Sequence, residues 1–229
     1  MYNQGFSVEE AVKSVVRKVY GWMATALAVT AGIAYYVGNT PAIYTMIFKT
    51  PGLILVLFIA QFGLVMALSA GIKRLSFGAA FGLFYLFAVL TGLFFSSIFI
   101  RFTLGSIFST FLVTAGMFGM MSIYGYFTNA DLSKMGSFLF MALIGLIIAG
   151  LVNIFVDSAA LQLGYSFFGV IIFSLFTAYD IQKVKMLARS MVTSGEDLNK
   201  VSVLAALTFY LDFINLFSFI LNFMGNKKD

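Results

Sequence analysis

Residues 203–224 read VLAALTFYLDFINLFSFILNFM, an apolar run with one charge, Asp212. The hydrocarbon core of a bilayer is about 30 Å thick and a helix rises about 1.5 Å per residue, so about 20 apolar residues span it. Asp212 lies about 14 Å into this run, close to the midplane. An unpaired aspartate there costs about 2.5–3.5 kcal/mol on insertion scales. It must therefore face protein or water, be paired, or be protonated. Thr208, Asp212, Asn215, Ser218 and Asn222 fall within about 120° of one another on the same helix. A helix with such a stripe is no lipid-facing wall, and it is expected inside a bundle with other helices around it.

The rest of the chain supports that reading. Of 229 residues, 61% are hydrophobic and 10% charged. A soluble domain of this size cannot hide so much apolar surface. Backbone amides in lipid must pair within the chain, so the expected class is an all-α polytopic membrane protein. Seven apolar segments are predicted as spans, near 19–38, 52–72, 77–98, 104–127, 136–156, 161–180 and 203–224. Residues 1–18 form a short tail, and the whole chain reads as one integral membrane domain. The first segment is too long for a signal-peptide core and lacks a clean cleavage site, so it is expected to be retained. The longest connection, 181–202, is polar and basic, and TSGE at 193–196 has the pattern of a capping box opening the last helix.

Cysteine and histidine are absent. That excludes disulfides, thiol catalysis, zinc sites of the His/Cys type and histidine bases. The net charge of +5 is spread over short loops. It fits a chain flanking anionic lipid, not a nucleic-acid surface.

The basic residues set the expected orientation. The N-terminal tail and alternate loops carry Lys13, Arg17, Lys18, Lys73, Arg74, Lys134, Lys183, Lys185, Arg189 and Lys200. The other side carries Lys49, Arg101, Lys227 and Lys228. The positive-inside rule then places the N-terminus in the cytoplasm and the C-terminus outside. In the third segment Gly78, Gly82, Tyr85, Val89 and Gly92 share one stripe, read as a helix-packing face.

Asp180 is the one acid of the sixth segment, with Ser166, Ser174 and Thr177 on its side of the helix. The segment boundaries put it shallower than Asp212. The two meet only if the sixth helix continues past Lys183 or the helices tilt. Arg74 is the natural basic partner, because a planar guanidinium bridges carboxylates bidentately. Equally, Lys73 and Arg74 obey the positive-inside rule. Two close carboxylates in a dry site cannot both ionise easily and titrate as a unit. Ionised, Asp180 and Asp212 would offer hard oxygens to Ca²⁺. The competing reading is an ion pair that only fixes helix register.

TAYDIQKVK at 177–185 and ALTFYLDFINLFSFILNFMG at 206–225 resemble the signature of the Bax inhibitor-1 family, in a bacterial branch. The resemblance covers nearly the whole chain. It implies seven helices, the last central and wrapped by two three-helix layers, in a bacterial inner membrane. It also implies a pH sensor at Asp180 and Asp212, latched by Arg74; the helix faces read above add Thr177, Thr208 and Asn215 as its supporting polar residues. The implied function is a pH-sensitive calcium leak, with Ca²⁺ and protons as partners and no enzymatic cofactor. The alternative is a non-enzymatic regulator of a membrane-bound ATP-dependent protease or another stress-response partner, engaged through the tail from Met1 to Lys18. Some relatives carry an acid in the second helix, where this chain reads LFIAQFGLVMAL and offers only Gln61, a possible pore residue. An intramembrane aspartyl protease is disfavoured: FYL precedes Asp212, in place of the Gly-x-Gly turn that lets substrate approach.

Overall fold

The computed structural model describes residues 8–72, 74–194 and 198–228. The described residues are almost all helical. Helix α1 is Val8–Gly38, α2 Pro41–Lys49, α3 Leu53–Gly71, α4 Phe77–Phe95 and α5 Ile98–Arg101. Helix α6 is Leu104–Phe127, α7 Gly136–Val156, α8 Ala159–Ser194 and α9 Leu198–Met224, with a 3-10 turn at Leu132–Met135. The starts carry local signals. Glu9 and Glu10 lie in the first turn of α1, where the helix dipole favours anions. Pro41 opens α2, and the Ser76 hydroxyl accepts the Ala79 N–H at the start of α4.

Six helices among the described residues are long and apolar enough to cross a membrane. They include α3, α4 continued to Arg101, α6, α7 with its leading turn, α8 and α9. Helix α1 is not one of them, so the expected count of seven is not established. Trp22, Thr25, Thr30, Tyr35 and Tyr36 dilute its apolar half. The spans differ in burial. In α9, 61% of the apolar window is buried, against 33% or less in the other five. Helices α3 and α7 instead expose Phe58, Phe62, Ile147 and Phe155, a surface suited to lipid. The last helix is therefore the core helix, as its polar stripe predicted.

The chain forms two compact units. One comprises Met1–Thr103, Ala188–Tyr210 and Lys228–Asp229; the other comprises Leu104–Leu187 and Leu211–Lys227. In the first, α1 buries Val12, Val15, Val19, Met23, Ala26, Thr30, Ala34 and Val37, a three-four spacing that faces one way. Helices α1 and α4 touch at Gly92, where a Cβ would stand 2.7 Å from the Ile33 Cβ and 2.9 Å from the Thr30 carbonyl oxygen. Of the same predicted stripe, Tyr85 bonds the Thr25 hydroxyl of α1 at 2.5 Å, but the other two glycines do not pack: a Cβ at Gly78 or Gly82 would meet nothing within 4 Å. The buried face of α4 is Ala80, Phe84, Phe87, Ala88, Thr91 and Gly92, large rings alternating with small residues.

In the second unit, α8 and α9 run antiparallel. Gly169 packs on the Phe219 ring, and Phe167 lies 6.0 Å from Phe223. Helix α6 is also antiparallel to α9. Its Ser106 hydroxyl accepts the Asn226 N–H at 2.9 Å, and the Phe111 and Phe118 rings both lie 5.6 Å from Phe213. Gly125 closes α6 onto α8, because any Cβ there would collide with the Ala178 carbonyl.

Helix α8 corrects two expectations. It does not stop at Asp180 but runs on through residues predicted as a polar connection. IQKVKMLARS contains strong helix formers and no proline, so the helix outlasts its apolar stretch. Thr193 and Ser194 belong to its last turn, and the remainder of the predicted capping box, Gly195 and Glu196, lies outside the described residues.

Candidate functional site

Because α8 continues past Lys183, Asp180 lies well inside a helix and reaches Asp212. Both side chains are buried, at 7% and 5% exposure. Their carboxyl groups lie within hydrogen-bond reach of each other. Ionised carboxylates only accept, so a bond between the two would require one shared proton. The second oxygen of Asp212, Oδ2, is buried without a partner among the described residues.

The neighbouring polar residues solve the same problem differently. Thr208 donates to the Leu204 carbonyl at 3.2 Å, Asn215 to Leu211 at 2.8 Å and Ser218 to Ile214 at 2.7 Å. On α8, Ser174 donates to Val170 at 2.7 Å and Thr177 to Phe173 at 2.9 Å. Each has its own hydrogen and bonds back one turn. A carboxylate has none to give, so Asp212 must take its partner from another helix. The positive charge felt by Asp180 is Lys183, whose ammonium sits 5.6 Å from the Tyr179 ring centroid. Further along α8, the Lys185 ammonium lies 4.4 Å from the Tyr126 ring centroid and donates to the Tyr126 carbonyl.

Arg74 is exposed in the turn between α3 and α4, its backbone N–H on the Gly71 carbonyl at 2.8 Å. It belongs to the first unit and the aspartates to the second. Lys73 lies outside the described residues. Gln61 is half-buried on α3, and its amide donates to the Thr91 hydroxyl at 2.7 Å.

Sequence comparison adds an independent line to this geometry. The family described as inhibitor of apoptosis-promoting Bax1 matches residues 12–229. The chain belongs to the Bax inhibitor-1 family. Its relatives include the inner membrane protein YbhL of Escherichia coli K12, 48% identical over 95% of this chain and 93% of that one. An uncharacterized protein of Borreliella burgdorferi is 43% identical over 93% and 91% of the two chains. Another, from Deinococcus radiodurans, is 43% identical over 96% and 93%.

This Bax inhibitor-1 chain also holds polar groups that sequence reasoning passed over. In the first unit Thr30 donates to the Ala88 carbonyl at 2.8 Å and shares a 2.6 Å bond with the Tyr210 hydroxyl. Thr30 has already used its hydrogen, so Tyr210 is the donor. Thr91 donates to the Phe87 carbonyl at 2.9 Å and accepts from Gln61. In the second unit the buried face of α6 is Ser106, Thr110, Thr114, Phe118, Ser122 and Gly125. Its four-residue spacing of hydroxyls was the signal available.

Proposed function

We propose that this chain is an integral protein of the bacterial inner membrane that works as a pH-sensitive cation leak, with Ca²⁺ as the ion and Asp180 and Asp212 as the gate. The observation that supports this is the meeting of two buried carboxyl groups, from different helices, within hydrogen-bond reach, where one shared proton would join them. The proton ties α8 to α9. Without it, two negative charges face each other at hydrogen-bond range, and the pair must part or bind a cation. Arg74 is the cation expected to latch the ionised form, since its guanidinium engages carboxylates bidentately. Acid breaks that latch and opens the path; alkali restores it.

Two carboxylates supply at most about four oxygens, short of the six to eight that hold Ca²⁺ firmly. The pair therefore suits a gate better than a calcium store. Membrane placement follows from the apolar spans, and the inner membrane from the relative's name. The N-terminus is assigned to the cytoplasm on the lysine and arginine balance. No enzymatic step is assigned.

The test is calcium influx into dye-loaded liposomes holding the purified chain, from acidic to alkaline pH. Influx should rise toward acid in the parent and lose its pH dependence in Asp212→Asn and Asp180→Asn. Unchanged pH dependence in both variants would remove the aspartates from the gate. Flux no greater than in empty liposomes at every pH would remove the leak itself.

A further inference from the structure

Four buried side-chain oxygens lack a hydrogen-bond partner among the described residues. They are Thr110 Oγ1 and Ser122 Oγ on α6, Ser166 Oγ on α8 and Asp212 Oδ2 on α9. All four belong to the second unit. Buried polar atoms are nearly always satisfied, and where protein supplies no partner an ordered water does.

Their placement is ordered as well. The buried face of α6 begins at Ser106, which accepts the Asn226 N–H just beyond the end of α9. It passes Thr110 and Thr114, then Phe118, whose ring lies 5.6 Å from that of Phe213, the neighbour of Asp212. It finishes at Ser122 and at Gly125, which abuts Ala178 and Ile181 on either side of Asp180. On α8, Ser166 shares a face with Thr177 and Asp180, about 11 and 14 residues on, at near-integral helical turns. Its neighbour Phe167 lies beside Phe223, toward the end of α9. The unsatisfied atoms of α6 and α8 thus fall between the level of the C-terminal end of α9 and that of the aspartates.

We propose that these atoms line a water-filled seam that carries protons to Asp212 from the membrane face on which α9 ends. The inference rests on the reading of the aspartate pair as the proton-sensitive element and adds the route by which it is reached. Hydroxyls both donate and accept, so they relay protons through water while offering little to a dehydrated cation. Charged neighbours do not compete along it. Helices α6 and α7 contribute no charged side chain, and the phenols of α6 are Tyr124, which is exposed, and Tyr126, which holds Lys185. Beside the pair, α8 presents Tyr179 and Lys183.

The chain has no cysteine, so single-cysteine variants report without background. Thr110→Cys, Ser122→Cys and Ser166→Cys would be made in the full chain, with Leu139→Cys as a dry buried control and Lys228→Cys marking the face on which the chain ends. Intact cells and inverted vesicles would be treated with silver ions, and free thiols then counted with a maleimide dye after denaturation. The thiolate is the form that binds metal, and apolar burial suppresses it, so the seam positions should react at least roughly tenfold faster than Leu139→Cys. They should do so from the same face as Lys228→Cys. Reaction at the control rate, or only from the opposite face, would overturn the seam. The measurement reads no ion flux. Labelled cysteines with pH-independent flux would retire the gate but keep the seam, and the converse would do the reverse.

Discussion

Tyr210 and Asp212 are two residues apart on α9, about 160° apart around the helix, and they live in contrasting surroundings. Tyr210 lies in the first unit, fully buried, its hydroxyl donating to Thr30 while Thr30 donates onward to Ala88. The Phe84 and Phe87 rings stand edge-on to it at 5.9 Å. Asp212 lies in the second unit, its carboxyl group close to another acid and one of its oxygens unpartnered among the described residues. One region is a closed polar network in aromatic packing; the other brings two buried acids together and leaves one carboxylate oxygen without a partner among the described residues. Fully satisfied networks rigidify, and partly satisfied ones respond to their environment. Function is therefore expected to follow Asp212, and stability to follow Tyr210.

The largest effect expected is functional. Removing either carboxylate by Asp180→Asn or Asp212→Asn should flatten the pH profile of calcium influx while the first unit stays folded. Tyr210→Phe should leave that profile intact, and a flattened profile in Tyr210→Phe would dissolve the contrast.

Packing substitutions come next. Gly125→Val forces side-chain atoms against the α8 backbone, and Gly92→Val does the same between α1 and α4. Overpacking of this kind costs about 1–3 kcal/mol. Both should lower the melting temperature in detergent, but only Gly125→Val should also disturb the pH response, because Ala178 and Ile181 flank Asp180. Smaller again is the loss from Tyr210→Phe itself, about 1 kcal/mol for one neutral hydrogen bond, read by thermal unfolding.

The smallest effect lies outside the spans. Asp131 accepts the Ser133 N–H at 3.1 Å and the Ser133 hydroxyl, and these bonds hold its carboxyl below the usual 3.8. A carboxyl depressed in the folded state contributes stability above its unfolded value, and loses it as pH falls through the folded one. Asp131→Ala should therefore destabilise slightly at neutral pH and converge with the parent in strong acid, as unfolding curves at the two pH values would record.

The contrast between the two residues was half legible in the sequence. Asp212 stood out because an apolar run of membrane length leaves a charge nowhere to hide, and the polar stripe correctly marked α9 as the core helix. Its meeting with Asp180 stayed undecided, because the apolar run of the sixth segment ends where its helix does not. Hydropathy reports the solvent around a helix, not its end. The Gly78 and Gly82 stripe misled for a related reason: a small residue permits close packing without causing it, and of that set Gly92 alone is wedged against a neighbouring helix. Tyr210, Thr30, Thr91 and Gln61 come from four helices, and no spacing within one segment reveals a bond between segments.

The depth of Asp212 has an electrical consequence. It stands 14 residues from the start of α9 at Leu198 and 12 from its end at Met224, about 21 and 18 Å of helix. A proton that reaches it from one face has crossed roughly half of the membrane voltage. Since a full crossing is worth about 2.3 kcal/mol per 100 mV, occupying this site takes up about half of that, roughly 1.2 kcal/mol. One pH unit is worth about 1.4 kcal/mol. If the pair is the gate, voltage and the pH of the face that supplies the proton act nearly interchangeably at Asp212: a change of about 100 mV should slide the pH profile by a little under one unit.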